Sequence, residues 1–312
     1  MANNVVGDKP VVLITGATDG LGRATALLLA NSGYYVFAAG RSLEKRAQLD
    51  NLAREQKLPL ETMELDVCDD SSVKLAIAEV LVKAGRIDVL INNAGVVIVA
   101  TVEDMTIEDW RKQFETNFYG MLRVTQAVLP HMRQRRKGRI VMMSSVAGLV
   151  TPPTYGAYSA SKHAMEAVSN ALRHELYPFG IKTVLIEPGY IVTGIQKAAA
   201  ELSKPYQDKM TAGPYAKIYA AAQTARNSTR SASGTTPEDC ARIMLSAVQA
   251  KNPKARYGVT PLATLVKWTK RLLPDSLQDA LIRRSTGLTS EVAREIADEK
   301  PLPARAGNSR AD

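Results

Sequence analysis

Tyr158 and Lys162 stand four residues apart in the run Tyr158-Ser159-Ala160-Ser161-Lys162, which is compatible with a helix. On an α-helix, positions i and i+4 share a face, so an ammonium can lie beside a phenol. A cation there favours the phenolate and would lower a pKa that is ordinarily near ~10. Such a phenol is a candidate proton donor and acceptor for chemistry at a carbonyl or an alcohol. The pair alone is weak evidence, because the same spacing arises by chance on surface helices. Its weight comes from the elements that would have to position it.

Those elements alternate. Short apolar runs predict strands at 11–15, 35–39, 62–66, 89–92, 139–143 and 183–187. Longer amphipathic runs between and after them predict helices at about 23–32, 43–56, 71–84, 107–134, 156–177 and 237–250. Apolar strands alternating with helices indicate a parallel sheet covered on both faces. Right-handed crossovers then give a three-layer, doubly wound α/β fold, with an expected sheet of seven mostly parallel strands. Ligands of such sheets bind at the carboxyl ends of the strands, and most of the motifs below begin there.

Thr15-Gly16-Ala17-Thr18-Asp19-Gly20-Leu21-Gly22 follows the first strand and opens the first helix. Its G-x-x-x-G-x-G spacing differs from G-x-G-x-x-G, but the physics is shared. Without Cβ atoms the backbone can turn tightly and approach a pyrophosphate at a helix N-terminus; a plain structural turn is the alternative. Gly40-Arg41-Ser42 ends the second strand, where the adenosine ribose lies in dinucleotide-binding folds. No acid is there to bind a free 2′-hydroxyl. Arg41 and Ser42 would instead hold a 2′-phosphate, favouring NADP(H) over NAD, unless Arg41 is an ordinary surface arginine. Asp66-Val67 would flank the adenine. Asn92-Asn93-Ala94-Gly95 ends the fourth strand, where small residues allow close approach and amides can tie strands together. Ser144-Ser145 ends the fifth, and Ser145 precedes Tyr158 by thirteen residues. That interval lets both side chains meet over one substrate oxygen. Asn117, inside the long helix, is either an exposed amide or one that disrupts the helix and holds a water.

Taken together, Thr15-Gly-x-x-x-Gly-x-Gly22, Asn92-Asn-Ala-Gly95, Asn117, Ser145, Tyr158-x-x-x-Lys162 and Pro188-Gly189 through Thr193 resemble the short-chain dehydrogenase/reductase family, over about Val11 to Thr193. The resemblance implies a Rossmann-type fold and a set of roles. Tyr158 would be the general acid in reduction and the base in oxidation. Ser145 would position the substrate oxygen. Lys162 would lower the pKa of Tyr158 and bind the nicotinamide ribose, and Asn117 would hold a water linking Lys162 to solvent. Ile191 and Thr193 would contact the carboxamide. Gly16, Thr18, Asp19, Gly20, Leu21, Gly22, Asn93, Ala94, Gly95, Pro188 and Gly189 complete the expected cofactor contacts. The cofactor would carry the hydride.

We expect one catalytic domain over residues 1–260 with a substrate lid at about 190–236, a helical extension over 261–303 and a disordered tail over 304–312. The stretch 227–236, rich in Ser, Thr and Gly, reads as a mobile loop. The 312 residues hold two cysteines, Cys68 and Cys240, too few for a disulfide framework, which suggests the cytoplasm. Residues 1–10 carry no secretory pattern, and no metal-ligand cluster appears. The net charge is +9, and residues 251–284 contribute eight basic and two acidic side chains. No nucleic acid is expected, because no aromatic-and-basic recognition motif accompanies that charge. A catalytically silent dinucleotide sensor would have no need of Ser145, Tyr158 and Lys162 together.

Val96–Val99, Leu149, Val150, Tyr155, Tyr190 and residues 195–219 should line the substrate pocket. They are mostly apolar, with no obvious arginine for a carboxylate. A hydrophobic ketone or alcohol (steroid, retinoid or lipid-like, sphingoid precursors included) fits better than a sugar. Phe37-Ala-Ala-Gly-Arg41 and the basic C-terminal extension are similar to the hydroxysteroid/retinol-type branch. Leu262, Leu265, Val266, Leu272 and Leu273 lie at helical spacing with Lys267, Trp268, Lys270 and Arg271 between them. This segment, 262–273, would pack on the domain or on a partner subunit of a homodimer or homotetramer, or make peripheral membrane contact.

Overall fold

Val11–Ile14 (β1) is apolar and buried at every position, as a strand covered on both faces must be. In the computed structural model, which describes residues 6–232 and 234–298, it is an interior strand of a seven-stranded sheet. The other strands are Tyr35–Gly40 (β2), Leu60–Glu64 (β3), Val89–Asn92 (β4), Gly138–Met143 (β5), Ile181–Glu187 (β6) and Arg256–Gly258 (β7). Their order is β3-β2-β1-β4-β5-β6-β7, and every pair is parallel. The winding reverses between β1 and β4, which opens a crevice at their carboxyl ends.

Helices cover both faces: Gly20–Asn31 (α1), Leu43–Glu55 (α2), Asp70–Ala84 (α3), Ile107–Phe114 (α4), Gly120–Gln134 (α5) and Gly156–Glu175 (α6). Alternate strand residues feed two cores. Leu13, Phe37, Leu90 and Ile140 face one; Val12, Val36, Ile91 and Val141 face the other. After β6 come Ile195–Leu202 (α7), Gln207–Ala212 (α8), Ala216–Ala232 (α9) and Pro237–Gln249 (α10). Pro261–Leu272 (α11), Asp275–Ser285 (α12) and Ser290–Ala297 (α13) follow β7.

Three expectations change. The long helix over 107–134 is broken at Glu115–Tyr119 by a π-helical turn between α4 and α5. The third strand ends at Glu64, so Asp66 and Val67 lie in the turn beyond it. Residues 227–232 continue α9 and do not form a loop. Their hydroxyls are absorbed locally: Ser228 and Thr229 donate to the carbonyls of Thr224 and Ala225 at 3.1 and 2.9 Å. The expected disordered tail at 304–312 lies outside the described residues.

The short strand β7 is held by charge. Arg256 reaches Glu187 on β6 at 2.5 Å and pairs with Glu166 on α6, both carboxylates being buried. Burial already pushes the pKa of Glu166 up, and Arg256 opposes it. Arg256→Met leaves buried carboxylates uncompensated and is expected to destabilise the fold by about 3–5 kcal/mol at pH 8. Without Arg256 the folded-state pKa of Glu166 rises further above its unfolded value, so stability is regained as pH falls through it. Thermal unfolding should therefore show a smaller deficit at pH 5 than at pH 8; equal deficits would contradict this account.

Candidate active site

The crevice is built from glycines. Gly16 and Gly20 take φ of +62° and +51°, a region that side-chain-bearing residues disfavour. A Cβ on Gly22 would stand 2.3 Å from the Gly16 oxygen and 2.5 Å from Asn93 Nδ2, and one on Gly16 would stand 2.9 Å from Ala94 Cα. The turn therefore stacks directly on the end of β4. Asn93 fastens it, donating through Nδ2 to the carbonyls of Thr15 and Gly16 at 3.0 and 2.9 Å. Thr15 Oγ1 accepts from the backbone of Asn93 and Ala94 at 3.0 and 3.1 Å. In the sequence Thr15 is simply the start of the glycine motif, and its place at the strand end is the signal that marks this role. Asp19 caps α1, accepting from Gly20 N at 2.7 Å. Its bond to Lys45 holds the carboxyl below the usual range. Leu21, in the first turn of α1, packs its side chain against the second core.

The remaining walls come from neighbouring strand ends. A Cβ on Gly40 would meet Thr18 Cγ2 at 2.7 Å. Beyond it Arg41 is exposed, with Nη1 3.6 Å from Asp66 Oδ2, and Ser42 caps α2 by accepting from Lys45 N at 3.3 Å. Val67 packs where a Cβ on Gly120 would lie 2.6 Å from its Cγ2. After β6, the Pro188 carbonyl accepts from Val146 N at 2.8 Å, and Gly189 leaves room only for Thr260. Ile191 is buried. The chain then arches back, so that a Cβ on Gly20 would be 3.1 Å from the Thr193 Cβ.

Ser145, Tyr158, Lys162 and Asn117 converge at the end of β5. Ser145 lies in extended backbone and caps a single turn over Val146–Gly148. Its hydroxyl accepts from Ala147 N at 3.1 Å and stands close enough to the Tyr158 phenol to favour the ionised form. Lys162 Nζ lies 5.7 Å from the Tyr158 ring centroid and donates to the carbonyl of Met143, the last residue of β5, at 2.7 Å. Asn117 is fully buried in the π turn. Its Oδ1 accepts from Val96 N at 2.8 Å, and its Nδ2 donates to Val96 O and Ser161 Oγ at 3.0 and 3.2 Å. The wider turn aims this amide inward; π turns recur at functional sites. Gly95 lets the groups meet, since a Cβ there would lie 3.3 Å from Asn117 Oδ1 and 3.9 Å from Lys162 Nζ. Among the described residues no group of His, Cys, Asp and Glu could hold a metal.

The electrostatics depart from the expected depression of Tyr158. Burial pushes its phenol up to about 12, against the opposing Ser145 bond. Burial pulls Lys162 down to about 8, against the attraction of Glu166. The amine stands 5.7 Å from the ring centroid and is committed to Met143 O, so among the protein's own groups desolvation outweighs the cation.

The substrate side also differs from expectation. Tyr206 and Tyr219 are anchors and not pocket walls. The Tyr206 hydroxyl donates to Asp109 Oδ2 at 2.5 Å, and the Tyr219 hydroxyl accepts from Thr101 N at 2.8 Å. Tyr155 meets the Tyr158 ring edge-on at 6.0 Å, and the Arg226 guanidinium lies 5.6 Å from the Tyr155 centroid. Arg226 also donates to Thr154 Oγ1 at 3.3 Å. The sequence showed no arginine near this pocket because Arg226 arrives from α9, far along the chain.

The short chain dehydrogenase family model matches residues 10–203. The chain belongs to the short-chain dehydrogenase/reductase family. This short-chain dehydrogenase/reductase is 34% identical over 281 residues to 3-ketodihydrosphingosine reductase of Bacteroides thetaiotaomicron, covering 88% of this chain and 96% of the relative. It is 34% identical over 277 residues to the NADPH-dependent 3-dehydrocapnine reductase of Ornithobacterium rhinotracheale, covering 86% and 94%. A Burkholderia phymatum family member solved in complex with NAD superposes with a TM-score of 0.74 at 25% identity, covering 87% of this chain and 95% of that one. The protein is thus an oxidoreductase of the nicotinamide dinucleotide class. The positive-φ glycine turn, closed against Asn93 and Ala94, fits such a cofactor's pyrophosphate.

The buried amine has a measurable cost. The folded-state pKa of Lys162, about 8, lies below the ordinary 10.5, so carrying its charge opposes folding at neutral pH. Lys162→Met should stabilise the cofactor-free protein by about 1–2 kcal/mol at pH 7 in denaturant unfolding. The gain should shrink as pH rises from 8 through 10.5, above which the wild-type amine is neutral in both states. Destabilisation at pH 7 would show that the Met143 bond outweighs desolvation.

Proposed function

We propose that this protein is an NADP(H)-dependent reductase that interconverts a hydrophobic, lipid-like ketone and its secondary alcohol, working chiefly towards the alcohol. The observation that carries the reading is the Ser145–Tyr158 hydroxyl pair at the end of β5 with Lys162 beneath it. A phenol held up near 12 is protonated throughout the neutral range, which is the state a proton donor to a carbonyl requires.

When bound, the nicotinamide supplies the hydride for the carbonyl carbon. The chain's own part concerns the oxygen. The Ser145 hydroxyl donates a hydrogen bond to it, and Tyr158 Oη gives it a proton. Lys162, near 8 and therefore largely charged at pH 7, faces the phenolate left behind and lowers the cost of its formation. Asn117 holds residue 96 and Ser161, and thereby the turn that carries Lys162.

Preference for the phosphorylated cofactor rests on Arg41 and Ser42, which follow the end of β2. The acid nearest to Arg41, Asp66, is 3.6 Å from its guanidinium and exposed enough to yield to a 2′-phosphate. The relative named as NADPH-dependent agrees with this reading. A lipid-like substrate is supported by the relative named for 3-ketodihydrosphingosine. Within the stretch we read as a substrate lid, Tyr206 and Tyr219 are anchored to Asp109 and Thr101, and the Arg226 guanidinium stands over Tyr155.

Tyr158→Phe should lower kcat for reduction of a long-chain ketone by about 10³-fold while NADPH affinity, read from its fluorescence, changes little. Retained turnover would remove Tyr158 from its role. Arg41→Asp should shift the NADPH/NADH ratio of kcat/KM towards NADH by about tenfold to a hundredfold. An unchanged ratio would place the 2′-phosphate elsewhere.

A further inference from the structure

Among the described residues no helix is long and apolar enough to cross a membrane, yet the helices after β7 expose apolar side chains in a pattern. Within α11 only Ala263 is buried. Leu262, Leu265, Trp268 and Leu272 are 46%, 59%, 55% and 71% exposed. At 3.6 residues per turn these four fall within an arc of about 120°. On α12, Leu277 and Leu281 are 52% and 50% exposed and one turn apart. On the same wheel Arg271 stands about 60° and Lys267 about 100° beyond the Trp268 edge of the arc, on the polar side of the helix; α11 contains no acidic residue, and α12 carries Asp275 and Asp279 with Arg283 and Arg284. An exposed apolar stripe with an aromatic ring and flanking cations is the composition of a helix lying in a lipid headgroup layer.

We propose that α11 and α12 dock this protein on an anionic lipid surface, with Trp268 and the leucines entering the interface and Lys267 and Arg271 meeting headgroup charge. Charge decides between occupants. A second copy seated on this face by a two-fold axis would set two net-basic surfaces together, each with five basic and two acidic side chains over 261–285. Residues 299–312 contain one large apolar side chain, Leu302, too little to cover the stripe. An anionic bilayer satisfies both the apolar arc and the cations. The position of the stripe suits delivery of an apolar substrate. Lys270 Nζ lies 3.4 Å from Nε2 of His163, the residue after Lys162 on α6. A cavity of about 340 Å³ between α12 and residues 151–156 is lined by Thr154 and Gly156, which flank Tyr155, and by Ile282. The docking itself does not rest on the assigned chemistry.

The chain has two tryptophans, so Trp110→Phe leaves Trp268 as the sole reporter. Its emission should shift to the blue with vesicles of phosphatidylcholine mixed with phosphatidylserine. The protein should also sediment with them about tenfold more strongly than with phosphatidylcholine alone, and high salt should release it. Sedimentation of the unsubstituted protein gives the same readout if Trp110→Phe folds poorly. K267E combined with R271E should cut vesicle binding by about tenfold or more while turnover of a water-soluble ketone is unchanged. The proposal is overturned if neither vesicle shifts Trp268 or carries the protein down. It is also overturned if the shift appears without lipid, in step with a protein dimer that the same double substitution abolishes.

Discussion

Desolvation at the end of β5 is the constraint on which the rest of the structure depends. A phenol and an amine are held beside one another with little water, and each is driven towards its neutral form. Two neighbours oppose this: the Ser145 hydroxyl on the phenol and the Glu166 carboxylate acting on the amine. The Lys162 bond to Met143 O fixes the helix α6 to the sheet at the point where both groups work. Chemistry at a carbonyl uses this arrangement in one direction more readily than the other. A phenol that keeps its proton can give it to a developing alkoxide, whereas removing a proton from an alcohol first requires the phenolate. This is the physical basis for the reductive direction we propose.

The parallel sheet makes such convergence cheap in sequence. Strand ends that are distant along the chain open onto one crevice where the winding reverses between β1 and β4. Each loop there contributes one or two side chains, and the glycines remove the atoms that would keep the loops apart. Buried charge then secures the far side: Arg256 joins β7, β6 and α6 through Glu187 and Glu166. Glu166 thus serves twice, as a structural partner of Arg256 and as a source of attraction for the Lys162 charge.

Much of this was legible in the residues. Apolar runs located six strands because a doubly covered strand can hold almost nothing else. The glycine turn, Asn93, Ser145, Tyr158 and Lys162 were legible because backbone geometry or proton chemistry demands those residue types. Asn117 was legible as an anomaly, a polar amide inside a helix, and the π turn is its structural resolution. Other features left no local signal. The strand β7 is three residues long, with an arginine and a glycine at its ends. Arg226 lies on α9 just before the stretch 227–236 that reads as a loop, and only tertiary packing brings it to Tyr155. The balance between burial and a nearby cation was also illegible, because it depends on distances and water exclusion and not on spacing along a helix.

The most direct test is a titration of Tyr158 by carbon-13 NMR of the tyrosine Cζ atoms, assigned by comparison with a Tyr158→Phe sample. Our account predicts that the Tyr158 signal keeps the shift of a protonated phenol through the neutral range and well beyond the ordinary tyrosine midpoint, near ~10. A Tyr158 signal that moves to the phenolate position at or below neutral pH would show that Lys162 overrides desolvation, and would contradict the account at its centre.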